Sequence, residues 1–374
     1  MNAPGATLVR RGEFWTAKQR DAHPLHEISY RACFKPQLPR YFIEQLTAPG
    51  AVVYDPFGGR GTTALEAALL GRRAISNDVN PLARILLEPR LTPPRLEAVE
   101  QRLAALKLPA KARTDIDLSM FYHPRTEAEL VGLRTHLLGR TDAVDRWIRM
   151  IATNRLSGHS PGFFSVYSFP PNQAVSAQAQ RRINARRRQK PEYRDVRALI
   201  LKKSRTLLRA VSEADRAALA GAKPRFFEGP AHRTPKLADA SVDLVVTSPP
   251  FLDVVQYAED NWLRAWFNGV DAEAVGKRIT MARTLEDWSA AMSGVFRELH
   301  RVVKPGGHVA FEVGEVRKGT VKLEEAVLPL GTRAGFTPLE VLIHEQRFTK
   351  TAHIWGVANH RGGTNSNRIV LFRR

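Results

Sequence analysis

Apolar positions along the chain form two kinds of run. Some are short, unbroken and rich in β-branched residues; others recur every three or four positions. Ala51 to Tyr54 and Arg73 to Val79 are of the first kind, and Ala64 to Leu70 between them is of the second, so the order is strand, helix, strand. The helix stops at Gly71, and Arg72 and Arg73 suit its C-terminal end. Glu127 to Leu138 and Asp142 to Arg155 also read as helices, and Tyr257 to Phe267 keeps helical spacing. Val242, Leu244, Val245 and Val246 make a buried strand that runs into Thr247-Ser248-Pro249-Pro250-Phe251. Two prolines remove two backbone donors and fix two φ angles, so the strand must end there. Gly335 to Gln346 and Asn367 to Arg374 read as two further strands joined by a long loop, Arg347 to Ser366.

Length and composition narrow the function. The chain has 374 residues, enough for two or three domains, and 43% of them are hydrophobic, as in an ordinary globular protein. Charge is less ordinary: 57 Lys and Arg against 37 Asp and Glu give a net +20. Such an excess points to a polyanion, nucleic acid before membrane, because neutralising phosphates releases counterions. No apolar run approaches a membrane span, and Met1 to Arg11 lacks the apolar stretch of a signal peptide. One cysteine, Cys33, leaves neither a disulfide framework nor a thiolate metal site. The expectation is a soluble, cytoplasmic protein.

The turn between the first strand and its helix carries chemistry. Asp55-Pro56-Phe57-Gly58-Gly59-Arg60-Gly61-Thr62-Thr63 is rich in glycine, and Asp78 ends the next strand about twenty residues further on. Glycines let backbone approach a ligand closely, and a carboxylate at that distance can take both hydroxyls of a ribose. A dinucleotide and S-adenosylmethionine are the two ligands such a unit suits. Asp55 favours the second, since an acid there would face a pyrophosphate but pairs well with an ammonium group.

With the downstream Thr247-Ser248-Pro249-Pro250-Phe251, this turn resembles the amino-methyltransferase family of DNA modification enzymes, and Ser-Pro-Pro followed by an aromatic resembles its cytosine-N4 branch. The likeness covers roughly two thirds of the chain. His26 to Leu46 resembles the element that closes over the methionine end of the cofactor, Phe296 to Glu315 a later helix, Lys-Pro-Gly-Gly turn and strand, and Gly363 to Arg374 the closing strand. The resemblance implies a Rossmann-like α/β fold of the class I methyltransferase type, with a mostly parallel sheet and an antiparallel last strand. It implies S-adenosylmethionine as cofactor, held by Lys35, Pro36, Asp55, Phe57, Gly58, Gly59, Gly61, Thr62, Thr63, Asp78 and Asn80. Two departures stand out. Arg60 replaces a small residue, so a more cationic pocket mouth is expected, and Glu228-Gly229-Pro230 replaces the usual Gly-Asp pair near the adenine.

Within that resemblance the Ser-Pro-Pro-Phe step has a physical purpose. The exocyclic amine of cytosine is a poor nucleophile, because its lone pair is delocalised into the ring. The Ser248 hydroxyl and a backbone carbonyl can accept its hydrogens, while Pro249 and Pro250 hold them still. Phe251 offers a face to a base, which must flip out of the duplex at a cost of about a few kcal/mol. Serine cannot act as a carboxylate base, so the surplus proton would leave to water, which favours cytosine N4 over adenine N6. Cys33 is far from this motif and is expected to be a small buried hydrophobe, not a C5-methylation nucleophile.

Three segments are expected along the chain: 1–113 and 224–374 as two parts of a catalytic domain, and 114–223 as a basic, mainly helical insert for target recognition. Ser176 to Arg209 holds twelve Lys or Arg against Glu192 and Asp195. Arg181, Arg182, Arg186, Arg187, Arg188 and Lys190 are its densest group and are candidates for phosphate contact, with a solvated helix face as the plainer alternative. Phe163, Phe164, Tyr167 and Phe169 suit either base stacking or a local core, Asn172 and Gln173 could read adenine, and Lys350, Trp355 and Asn359 could touch nucleic acid. Tyr257 is a further candidate for the cofactor pocket. The histidines show no metal-ligand spacing, and no metal is expected. Duplex DNA is the expected partner, with a cognate restriction endonuclease as a second. Adenine-N6 or RNA methylation, and non-enzymatic nucleic-acid binding on the same scaffold, stay open as alternatives.

Overall fold

The computed structural model describes residues 7–15, 22–30, 33–169, 174–251, 257–279, 282–316, 321–345 and 366–374. Asn172, Gln173, Lys350, Trp355 and Asn359 lie outside the described residues, as does the Tyr257 side chain. The strands are Leu8–Gly12 (β1), Val52–Asp55 (β2), Arg73–Asp78 (β3), Arg225–Glu228 (β4), Val242–Thr247 (β5), Val303–Val313 (β6), Glu315–Val316 (β7), Val321–Lys322 (β8), Thr337–Glu345 (β9) and Ser366–Arg373 (β10). Eight form one sheet in the order β1-β9-β10-β6-β5-β2-β3-β4, while β7 and β8 pair separately.

Five strands in the middle and at one end are parallel neighbours. β2 lies between β3 and β5, β4 pairs with β3, and β6 continues from β5 in the same direction. β10 is antiparallel to both β6 and β9. This is the Rossmann-like methyltransferase sheet with its antiparallel last strand. The chain moves outward from β2 to β4 and then returns to the other side of β2 as β5. That reversal opens a crevice beyond the carboxyl ends of β2 and β5, the place where open α/β sheets take ligands. β1 extends the sheet past β9, held by Arg10 on Glu340 at 2.5 Å.

The elements follow from their residues. Val242, Leu244, Val245 and Val246 are fully buried, as a strand covered on both faces requires. Asp142 caps helix Ala143–Arg155 by accepting from the amides of Val144 and Asp145. The Lys-Pro-Gly-Gly turn is drawn into the start of β6, with Gly306 at φ +80° and the Gly307 α-carbon so close to the Asp243 carbonyl that a Cβ would stand 2.9 Å from it.

Helices cover both faces. On one, Trp288, Phe296 and Leu299 of helix Leu285–Val302 pack with Val309, Phe311 and Phe372. On the other, Leu65 and Ala68 of helix Thr62–Leu69 share an apolar cluster with Trp147, Ile148, Ile200 and Leu207 from the middle of the chain. Residues 114–223 therefore supply core as well as surface. Their helices are Pro124–Leu137, Ala143–Arg155, Ala177–Arg187, Val196–Leu208 and Glu213–Gly221. Helix Ala177–Arg187 buries only Gln180 and Ile183.

Candidate active site

β2 ends in Asp55, whose carboxylate is buried against the neighbouring strand. Its Oδ1 accepts from the Thr247 hydroxyl at 2.6 Å and from the Phe57 amide at 3.1 Å. Burial pushes the Asp55 carboxyl up to about 7; the Thr247 and Phe57 hydrogen bonds pull it down, and the Asp78 charge adds to the rise.

The glycine turn fits its residues closely. A Cβ on Gly58 would stand 2.1 Å from Ser76 Oγ, and one on Gly61, at φ +80°, would stand 2.5 Å from Leu87. The Gly59 amide donates to Asp78 Oδ2 and the Asn80 amide to Asp78 Oδ1, both at 2.8 Å. Asp78 is thereby oriented, each oxygen keeping lone pairs for a ligand, and burial raises its pKa. Thr63 donates to the Val246 carbonyl at 3.0 Å, fastening the helix to β5.

Asp55, Phe57, Gly58, Gly59, Thr62, Asp78 and Asn80 line one cavity, open to solvent. Ser248 and Pro250 line the same cavity, so the two motifs, far apart in sequence, meet there. The Pro250 carbonyl accepts from the Trp288 indole at 2.9 Å, which fixes the second motif from behind. Phe251 lies against Gly314, where a Cβ would stand 2.9 Å from the ring.

Other expected residues stand outside the lining. Pro36 is the N-cap of helix Gln37–Leu46, and Lys35 precedes it, its pKa lowered by burial. Gly61 and Thr63 shape the turn from below, and Pro249 and Phe251 flank the lining residues of their own motif.

One expectation needs correction. Arg60 does not charge the pocket mouth: it is buried, and its guanidinium donates to the carbonyls of Ile28 and Phe34 at 3.0 and 3.3 Å. A buried cation is costly without acceptors, and backbone carbonyls of the 28–34 segment supply them. Cys33 is half-buried and packs against the apolar core, as expected, while also lining the cavity, with burial pushing its thiol up.

Several cavity residues were not foreseen: Tyr30, Phe34, Ala231, His232, Arg278 and Met292. Tyr30 accepts from Asn80 Nδ2 at 3.4 Å. More telling is Glu312, buried near the carboxyl end of β6. Thr247 of β5 is in register with Phe311, so Glu312 comes level with Ser248, whose hydroxyl acts on the buried carboxyl and pulls its pKa down. The signal was present as a charged residue inside the apolar run Val309 to Val313.

The basic segment contributes no residue to the lining of this cavity. Arg181, Arg182, Arg186, Arg187, Arg188 and Lys190 are all exposed. Arg181 is engaged with Asp117 at 2.6 Å, and Arg187 lies 3.9 Å over the Tyr167 ring. Tyr167 stacks beside Phe169, which is 40% exposed, whereas Phe163 and Phe164 are core. This surface is tied to the catalytic half: Trp262 donates to the Val175 carbonyl at 3.1 Å, and the Ala174 amide to the Asp260 carbonyl at 3.0 Å. Among the described residues no cluster suits a metal ion, and no helix is long and apolar enough to cross a membrane.

Residues 6–84 match the model of a family described as DNA methylase. A type II methyltransferase, M.BsoBI of Geobacillus stearothermophilus, is 22% identical over 276 residues, which are 66% of this chain and 53% of that protein. M.MjaII of Methanocaldococcus jannaschii, also a type II methyltransferase, is 31% identical over 74 residues, 20% of this chain and 14% of its own. The chain thus spans about half the length of the first relative and far less of the second. TrmN of Thermus thermophilus, a solved structure, is 14% identical, with a TM-score of 0.35 over 92% of this chain and 50% of its own. The fold assignment rests on strand order instead. Over residues 6–84 the chain resembles that DNA methylase family, and over about two thirds of its length it is similar to a type II methyltransferase.

Proposed function

We propose that this protein transfers a methyl group from S-adenosylmethionine to the exocyclic N4 amine of a flipped-out cytosine in duplex DNA. The observation that supports it most directly is the cavity shared by Asp55 and Asp78 on one side and Ser248 and Pro250 on the other. The residues suit the cofactor: a buried carboxylate for an ammonium, an oriented one for a diol, and glycines that a Cβ would foul. When bound, S-adenosylmethionine supplies an electrophilic sulfonium methyl group.

The remaining work belongs to the chain. Asp55 holds the ammonium group and Asp78 the ribose hydroxyls, with Phe57, Gly58, Gly59, Thr62 and Asn80 around them. Lys35, Pro36, Gly61 and Thr63 support this shell from outside. Ser248 and the rigid prolines accept the amine hydrogens and aim the nitrogen lone pair, an arrangement of fixed acceptors that needs no reorganisation during the reaction. Phe251, braced by Gly314, presents the other side of its ring to the base. Residues 114–223 serve target recognition, with Arg181, Arg182, Arg186, Arg187, Arg188 and Lys190 on DNA phosphates.

Adenine N6 is a second reading with an observation of its own. Glu312 places a carboxyl behind Ser248, supplying the acidic group whose absence argued for cytosine. One experiment decides between them. DNA is incubated with labelled S-adenosylmethionine and digested to nucleosides; label in N4-methyldeoxycytidine supports the proposal, label in N6-methyldeoxyadenosine selects the second reading, and unlabelled DNA refutes both.

A further inference from the structure

We propose that Glu312, acting through the Ser248 hydroxyl, receives the proton that the target amine loses on methylation. The proposal rests on the amino-methylation just described and alters its last step, since the sequence alone sent that proton to water. Ser248 lines the cavity and Glu312 stands behind it, level with it on the adjacent parallel strand. Glu312 is only 7% exposed, and the Ser248 hydroxyl, level with it on the neighbouring strand, acts on its carboxyl. A carboxyl buried at a strand end costs stability, and nothing in the packing of β6 requires one where its neighbours are Phe311 and Val313.

The chemistry balances. The amine nitrogen forms a bond to the methyl carbon as the carbon–sulfur bond breaks, its electron pair remaining on sulfur. The nitrogen is left cationic with one proton too many. That proton passes to Ser248 Oγ while the serine's own proton passes to the Glu312 carboxylate, so the hydroxyl ends as it began. Glu312 is regenerated by losing the proton to solvent. Burial pushes the Glu312 carboxyl up to about 7, with the Ser248 hydrogen bond pulling the other way, so it can both take and release a proton near neutrality. The charged groups on elements over this side of the sheet are Lys35 before helix Gln37–Leu46, Asp260 and Arg264 on helix Tyr257–Asn268, and His344 on β9. Asp55 on β2 also titrates near neutrality, but it lies at the cofactor side of the cavity.

Glu312 is thus a positioning and relay residue, and its test reads more than rate. Single-turnover methylation is followed from pH 5.5 to 9 at saturating cofactor, for wild type, Glu312→Gln, Glu312→Asp and Ser248→Ala. Wild-type rates should rise through about pH 7 to a plateau. Glu312→Gln should lose that limb and fall on the order of 100-fold at the plateau, with cofactor affinity by calorimetry unchanged. Glu312→Asp should recover part of the rate and the limb. Infrared difference spectra recorded on an Asp55→Asn background, which removes the other carboxyl titrating near neutrality, should show a protonated carboxyl that titrates near neutral pH and is lost when Glu312→Gln is added. A Glu312→Gln protein with the wild-type rate and limb overturns the proposal, as does loss of rate and cofactor affinity together without rescue by aspartate. Should Glu312→Gln fail to fold, Ser248→Ala decides: a retained limb means that the proton does not travel through the hydroxyl. If wild type methylates no DNA amine, the proposed function fails separately, and absence of the neutral-pH carboxyl band from Asp55→Asn then overturns the Ser248–Glu312 pairing itself.

Discussion

The Thr247 hydroxyl donates to the buried Asp55 carboxylate at 2.6 Å, joining the last residue of β5 to the last residue of β2. The cofactor motif and the Ser-Pro-Pro motif are therefore one hydrogen-bonded unit although 192 positions separate these two residues. A hydrogen bond to a charged group contributes about 1.5–3 kcal/mol, more than a neutral one. Thr247→Val keeps the shape and removes the donor. It should weaken S-adenosylmethionine binding by about tenfold at pH 7, because the carboxylate that pairs with the ammonium becomes harder to ionise. Titration calorimetry with unchanged affinity would show that the bond only shapes the strand ends.

Acidity governs both binding and stability at this site. Burial places the Asp55 carboxyl at about 7, against 3.8 for the unperturbed group. A cationic ligand needs the ionised form, so affinity should rise from pH 6 to pH 8 and binding at pH 6 should release a proton. Calorimetry in buffers of different ionisation enthalpy detects that proton, and Asp55→Asn should abolish it along with most of the affinity. Stability runs the opposite way. A carboxyl whose folded pKa is raised stabilises the fold fully below its unfolded value and loses that contribution as pH rises through the folded one. Unliganded protein should therefore lose on the order of a few kcal/mol between about pH 4 and pH 7, and Asp55→Asn should flatten the decline in thermal unfolding measured across that range.

The glycine turn should tolerate no side chain. Gly61→Ala forces a Cβ against Leu87 at a left-handed φ, and Gly58→Ala forces one onto Ser76 Oγ. Strain and overpacking of this kind cost about 1–3 kcal/mol. Gly58→Ala should also displace the turn toward the cavity and cut cofactor affinity, whereas Gly61, outside the lining, should lose stability with a smaller effect on affinity. Denaturant unfolding and calorimetry on both variants check the contrast; equal losses of affinity would contradict it.

Much of this architecture was legible because the sheet's signals are local. The strand Val242–Thr247 is apolar throughout and ends at two prolines, and the Gly-rich turn fixes its own backbone. Helices at 127–138 and 142–155 begin and end within three residues of the observed ones, since Asp142 caps one and a Pro starts the other. β1 escaped notice because an exposed edge strand, Leu-Val-Arg-Arg-Gly, has no apolar alternation to betray it. Arg60 misled for a related reason: a residue name gives its charge but not the carbonyls of Ile28 and Phe34 that receive it. Glu312 went unseen because its meaning depends on strand register. Only the pairing of Thr247 with Phe311 brings it beside Ser248, and register between residues 64 positions apart is not written in either segment.

The exposed arginines after Ser176 yield the last prediction. Arg182, Arg186 and Arg188 extend into solvent, while Arg181 is engaged with Asp117 and Arg187 covers Tyr167. An exposed ion pair contributes little, about 0–1 kcal/mol, so Arg181 remains available to a phosphate at small cost. If these side chains neutralise phosphates, each lost contact lowers the slope of log K against log salt by about 0.9. Replacing Arg182, Arg186 and Arg188 together by Ala should flatten the slope by roughly two to three units, with specific and random duplexes weakened by similar factors and cofactor affinity unchanged. Arg187→Ala should differ, because it also uncovers Tyr167 beside the exposed Phe169 and so disturbs an aromatic surface on which a base can stack. Fluorescence anisotropy across a salt series on both duplexes separates the cases. A fixed slope with collapsed discrimination would make these arginines readers of base edges. No change in either would leave helix Ala177–Arg187 a solvated face and move DNA binding to the catalytic half.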